Sequence, residues 1–242
     1  MIGRLISAEL AGLRRSMMPW LATLLVVGGS VVARMMAWIT HAIGRTELGA
    51  LPFVRPDMGW SDAAIPLALL AYLIMTTYVF GRDFEDGNID LILTAPVRRE
   101  AVVVARMIVI AGSVLALSLM GWGADAATHA LLATSPLDPG SAITLAAALG
   151  AGVAAIATLP LVAWAAIRFR GVLPALGLGI AIEVVVLALG GFALVQLLPW
   201  FLPSALAAGR SASLLGTGLS ALLFAGGLAA TVRELRTADV YS

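Results

Sequence analysis

Nine charged side chains fall between Phe80 and Met107: Arg82, Asp83, Glu85, Asp86, Asp90, Arg98, Arg99, Glu100 and Arg106. The acids come first, around Gly87–Asn88, and the arginines follow Pro96. Charges of both signs in an otherwise apolar chain suit ionic docking or the setting of topology, because the window holds no nucleophile and no metal-ligand spacing. Two other polar groupings stand apart. Glu183 is a lone carboxylate among Val, Ile, Leu and Ala, and Asp125 and His129 are spaced to share a helix face. A metal site would need more ligands than that pair, and the other histidine is His41, so Asp125 and His129 read as a surface pair. No Ser-His-Asp, HExxH or paired-carboxylate pattern is present, and nothing in the chain reads as catalytic.

Two absences narrow the function further. There is no cysteine, which excludes disulfides and thiolate chemistry. All 15 basic residues are arginine, so neither a phosphate-binding loop, which ends in Gly-Lys-Ser/Thr, nor a lysine Schiff base can form. Any ATP-driven work would need its ATPase, with ATP and Mg, on another chain. No cofactor is expected on this one. The formal net charge of +1 offers no polybasic surface for nucleic acid.

The elements that position these residues follow from hydropathy. Of 242 residues 61% are hydrophobic and 12% charged, against about a quarter charged in soluble domains. Such a chain is an integral membrane protein. Six apolar runs are long enough to span the bilayer as helices: about 18–39, 63–80, 102–122, 143–167, 172–198 and 212–232. The fold expected is all-α, a single transmembrane bundle over 1–242, with Arg-Phe-Arg-Gly forcing a tight hairpin between spans four and five. Eleven arginines fall on one side of the membrane, while Arg34, Arg45, Arg55 and Arg210 fall on the other, which puts both termini in the cytoplasm. The first run is too long for a cleavable signal. Small residues such as Gly150–Ala155, Gly177–Ala181 and Gly190–Gly191 read as ordinary close packing.

Three connecting segments carry detail. Residues 1–17 form an amphipathic helix that lies on the membrane, with Glu9 inside its apolar arc and therefore expected to pair with an arginine. Residues 81–101 form a cytoplasmic loop, with a short helix around Ile89–Thr94, a break at Ala95 and a new helix starting at Pro96. Leu91–Leu93 is too apolar to stand bare in water. Residues 197–211 hold Pro199 and Pro203 at membrane depth, which suggests a re-entrant outer element backed by protein. Trp200 could equally anchor the interface.

The segment Phe80–Arg106 resembles the first cytoplasmic loop of ABC-2 type transporter permeases. Glu85, Asp86, Gly87, Asn88, Ile89, Asp90, Leu91, Leu93, Pro96 and Arg99 take matching places, with Asn88 where Thr is common and Asp90 where Glu is common. Six spans, cytoplasmic termini and the length extend the likeness over nearly the whole chain. The resemblance implies that the loop contains the coupling helix of a six-span exporter subunit, docking a separate ATP-binding subunit through Arg82, Asp83, Glu85, Asp86, Asp90, Leu91, Leu93, Pro96, Arg98 and Arg99. It implies two ATP-binding subunits, a second permease chain, identical or related, and a bacterial inner membrane. Residues 1–17 would be the connecting helix.

Glu183 is costly at mid-membrane if ionised, by about 3 kcal/mol or more. It reads either as a contact for a cationic substrate or proton, or as a hydrogen-bonded packing residue. Gln196, farther out on span five, and Trp200 could line the same path. The expected substrates are drugs, antimicrobial peptides or other amphipathic compounds. The alternatives are a non-transporting scaffold with the same fold and an intramembrane enzyme using Glu183, the latter disfavoured by the lack of a second acid.

Overall fold

The computed structural model describes residues 2–43, 60–89, 94, 97–132, 144–189 and 197–237. Among them there is no strand. Helix α1 (Ile2–Arg15) precedes α2 (Met18–Thr23), which continues through a π-helical turn at Leu24–Gly28 into α3 (Gly29–Ile43). Then come α4 (Trp60–Glu85), α5 (Arg99–Leu132), α6 (Leu145–Ile156), α7 (Leu159–Arg168), α8 (Val172–Leu189), α9 (Leu202–Ala207) and α10 (Leu214–Thr237). Among the described residues six segments are long and apolar enough to cross a membrane: Met18–Met36, Ala64–Glu85, Arg99–Leu132, Leu145–Arg168, Val172–Leu189 and Leu214–Thr237. The chain is a multi-pass membrane protein. The start of α1, the start of α5 and the end of α10 meet at one end of the bundle, here called the charged end.

Span two is the centre of the bundle. About 72% of it is buried, against 22% for spans five and six, which line the outside. Helix α4 packs on α3, α5, α7 and α8. Close approach is allowed by glycines where a side chain would strike a neighbour's backbone. A Cβ on Gly81 would stand 2.8 Å from the amide nitrogen of Val172. A Cβ on Gly227 of α10 would stand 2.9 Å from that of Leu161. Helices that touch through backbone in this way follow the small-residue rule of membrane packing.

Three features differ from the sequence reading. Span four is two helices, α6 and α7, joined by a tight turn. The amides of Ala157 and Thr158 bond the carbonyls of Ala154 and Ala155 at 3.2 and 3.0 Å, and the Thr158 hydroxyl donates to Ala155 at 2.8 Å. Pro160 then sits in the first turn of α7, where its missing N–H leaves nothing unpaired. Span three runs on past Trp122 to Leu132. Its helix begins at Arg99 rather than at Pro96, with the Arg98 carbonyl accepting from the Ala101 amide at 2.9 Å.

The tight hairpin after span four is as expected: only Phe169–Gly171 separate α7 from α8. Arg170 adopts φ 53°, and the Gly171 amide returns to the Ala166 carbonyl at 3.1 Å. Residues 197–211 hold the short helix α9, with Pro199, Leu202, Pro203 and Ala207 buried and packing against α6.

Candidate functional site

The acidic half of the charged window is the C-terminal turn of α4. The Asn88 amide bonds the Asp83 carbonyl at 2.9 Å, and the Asp86 amide bonds that of Arg82 at 2.8 Å. Gly87 takes the left-handed conformation, φ 69°, that this helix stop requires. The stop fixes the directions in which Arg82, Asp83 and Glu85 leave the helix.

Arg82 and Asp83 turn inward to meet Glu9 of α1 and Arg106 of α5. The Arg82 guanidinium donates to Glu9 Oε2 at 2.6 Å. Arg106 Nε donates to Glu9 Oε1 at 2.9 Å, and its Nη2 donates to Asp83 Oδ2. Arg82 Nε lies 3.9 Å from Asp83 Oδ1. Two acids and two arginines thus alternate in a closed ring that ties α1, α4 and α5 together. The side chain of Arg106 is 4% exposed. Charges this dry persist only when each is matched and hydrogen-bonded. The arginines also lie over aromatic faces, Arg106 at 5.7 Å from the Phe80 ring centre and Arg82 at 5.5 Å from that of Tyr78. Glu9 is paired with arginine, as its place in the apolar arc of α1 predicts.

A second tier secures the helix ends around the ring. Glu85 Oε1 accepts from the Val172 amide at 2.7 Å, which places a carboxylate at the amide end of α8. Arg99 Nη1 donates to the carbonyls of Leu235 and Arg236 at 3.0 and 2.8 Å, a cation at the carbonyl end of α10. Arg236 Nε bonds Glu100 Oε1 at 2.7 Å, and Arg168 reaches Glu234 at 3.4 Å. Both flanks of the 86–98 connection are therefore pinned to the bundle: the end of α4 to α1 and α8, the start of α5 to α10.

Of the ten residues assigned to docking by resemblance, Arg82, Asp83, Glu85 and Arg99 have these partners inside the chain. Asp86 and Arg98 are exposed, and Arg98 stands near the Glu100 carboxylate. Asp90, Leu91, Leu93 and Pro96 lie outside the described residues, as does most of the helix expected over Ile89–Thr94.

At the opposite end, Arg34 of α3 forks Asp125 of α5. Its Nε and Nη2 donate to Oδ1 and Oδ2 at 2.8 and 2.9 Å. Asp125 is fully buried and Arg34 3% exposed. This corrects the surface-pair reading of Asp125 and His129. The expected end of span three at Trp122 placed Asp125 in water, whereas the helix continues and carries it against span one. A signal was available, since Arg34 and Asp125 are oppositely charged and both near span ends on the same side. Arg106 and Asp125 stand roughly 28 Å apart along α5 at 1.5 Å per residue. That is close to the thickness of a hydrocarbon core.

Glu183 lies on the buried side of α8, with Ala175, Gly179 and Val186, and α8 packs on α4 and α7. Among the described residues its buried Oε1 has no hydrogen-bond partner. The Trp200 indole N–H, in the turn before α9, is likewise buried without one. Gln196 lies outside the described residues. Tyr72 and Ser118, which sequence reasoning missed, share a 2.8 Å hydrogen bond between spans two and three.

The profile described as ABC-2 family transporter protein matches residues 5–190, which runs from within α1 through α8 and takes in the whole charged window. No curated protein matches the chain.

Proposed function

The chain belongs to the ABC-2 transporter family, and on that premise we propose that it is the permease half of an ATP-driven exporter whose separate ATP-binding subunit docks on the connection between α4 and α5. The family supports a transporter membrane subunit that generally pairs with an ATP-binding subunit. The observation that carries the docking proposal is the pinning of both flanks of the 86–98 connection, through Glu9, Val172 and the end of α10. A force applied there reaches α1, α4, α5, α8 and α10 with little slack. The charged end is the cytoplasmic end in this proposal, in a bacterial inner membrane, with two permease chains and two ATPase subunits in the complex.

Asp86 is the residue that tests docking cleanly. Glu85 also holds the start of α8, so its loss would mix docking with folding. Asp86→Arg is expected to reduce co-purification of the ATP-binding subunit and transport by about tenfold or more, the effect of like-charge contact in an interface, with thermal stability unchanged. Full ATPase recovery on Asp86→Arg would count against docking at this loop.

Within the same proposal the substrate is an amphipathic compound, and Glu183 and Trp200 are its polar contacts. Their support is the pair of buried polar atoms, Oε1 and Nε1, that lack partners among the described residues. Glu183→Gln is expected to reduce transport of cationic substrates by about tenfold while sparing neutral ones, as removal of one desolvated charge contact would. Equal losses for both classes would assign Glu183 to packing.

A further inference from the structure

Between the first residues of α1, the first turn of α5 and the last turn of α10 runs an open groove of about 990 Å³. Its polar rim is Arg98, Arg236 and Glu100, and its apolar wall is Ile2, Ala101 and Val104. Arg98 is exposed and the Arg236 side chain 59% exposed, so both guanidiniums are available at the rim even though Arg236 also bonds Glu100. Two cations face one acid, and the local charge is positive. The apolar wall does not stop at the groove. Val104 is 37% exposed and Ile108, one turn along α5, is 46% exposed, which makes a continuous apolar track up the outer face of span three.

The depth of the groove limits what can fill it. Helix α1 directly precedes span one, and Arg99 begins span three, so the groove stands where the hydrocarbon core gives way to headgroups. A ligand there would meet guanidiniums at one end and aliphatic side chains running into the membrane at the other. That is the chemistry of an anionic phospholipid, with its phosphate between Arg98 and Arg236 and an acyl chain along Val104 and Ile108. We propose that this groove is a binding site for one anionic phospholipid per chain, wedged between α1, the start of span three and the end of span six. The lipid would brace the junction through which α1, α5 and α10 meet, from the membrane side.

The test uses the isolated full-length chain, without any ATP-binding subunit, so it stands or falls separately from the docking proposal. The solubilised protein is offered equal amounts of phosphatidylglycerol and phosphatidylcholine, and retained lipid is counted by native mass spectrometry. The expected result is one phosphatidylglycerol per chain, retained about tenfold over phosphatidylcholine, with Arg98→Gln lowering its retention about fivefold, as expected for one arginine at a lipid surface. Ala101→Glu, which places a carboxylate in the groove, is expected to lower it at least as much. Glycerol phosphate at equal concentration should not displace the lipid, because it lacks the chain that Val104 and Ile108 hold. Equal retention of the two lipids, displacement by glycerol phosphate, or unchanged retention in a folded Arg98→Gln variant would each overturn the proposal.

Discussion

Asp125→Ala is expected to destabilise the protein by about 3–5 kcal/mol, the usual effect of removing one partner of a buried ion pair. Arg34 is 3% exposed and the Asp125 carboxylate forks it through two hydrogen bonds. Without that carboxylate a guanidinium is left in a nearly dry setting between α3 and α5. Arg34→Met should do comparable damage from the other side, by removing the guanidinium that donates two hydrogen bonds to a fully buried carboxylate. The double variant Arg34→Met/Asp125→Leu is the informative one. Apolar replacement of a whole buried pair is often neutral or better, so the double variant should recover most of what either single change loses. Thermal midpoints in detergent, followed by size-exclusion of a fluorescent fusion, measure all three. A double variant no better than the worse single one would show that the site depends on charge beyond the pair.

The largest effect at the charged end should come from Arg106→Met. Arg106 is the member of the four-charge ring that bonds both acids, Glu9 and Asp83. Its loss leaves two carboxylates with Arg82 as their common cation, and Arg82 is 3.9 Å from Asp83. The expected loss is about 2–5 kcal/mol, most of it reflecting carboxylates left under-matched in a desolvated site. The effect should be local as well as large. Glu9 is the ring's anchor on α1, so α1 should loosen from α5, which faster amide exchange over Ile2–Arg15 would reveal. Adding Glu9→Gln and Asp83→Asn should restore part of the stability, and a double-mutant cycle gives the coupling directly. If α1 exchanges no faster in Arg106→Met, then α1 is held by its apolar contacts, Ile6 and Leu13 among them, and the ring is secondary.

The architecture was largely legible in the sequence, and the reasons are physical. Each span must satisfy its backbone by itself in lipid, so span length and hydropathy locate the helices almost one by one. Glu9 read as paired because a carboxylate in an apolar arc has little alternative. What it pairs with was not legible: Arg82 and Arg106 are distant in sequence, and nothing local selects them over the other arginines. The same holds for Arg34 and Asp125. There the error was sharper, since hydropathy falls at Asp125 while the helix does not. A span ends by hydropathy where polar residues begin, but a helix can continue wherever another element meets those residues. The division of span four at Ala157–Thr158 was hidden for the opposite reason. Every residue there is compatible with a continuous helix except Pro160, and a proline so placed can kink a helix as readily as start one.

The three-residue connection at Phe169–Gly171 has a bearing on how the protein is made. With so little chain between α7 and α8, span four cannot be seated across the bilayer while the start of span five is still far from the membrane. The two are expected to enter together as a helical hairpin, with Arg168 and Arg170 at its tip. A lengthened connection would separate the two insertion events. Pulse-labelled biosynthesis should then show a partly inserted form that the natural hairpin passes through too quickly to accumulate.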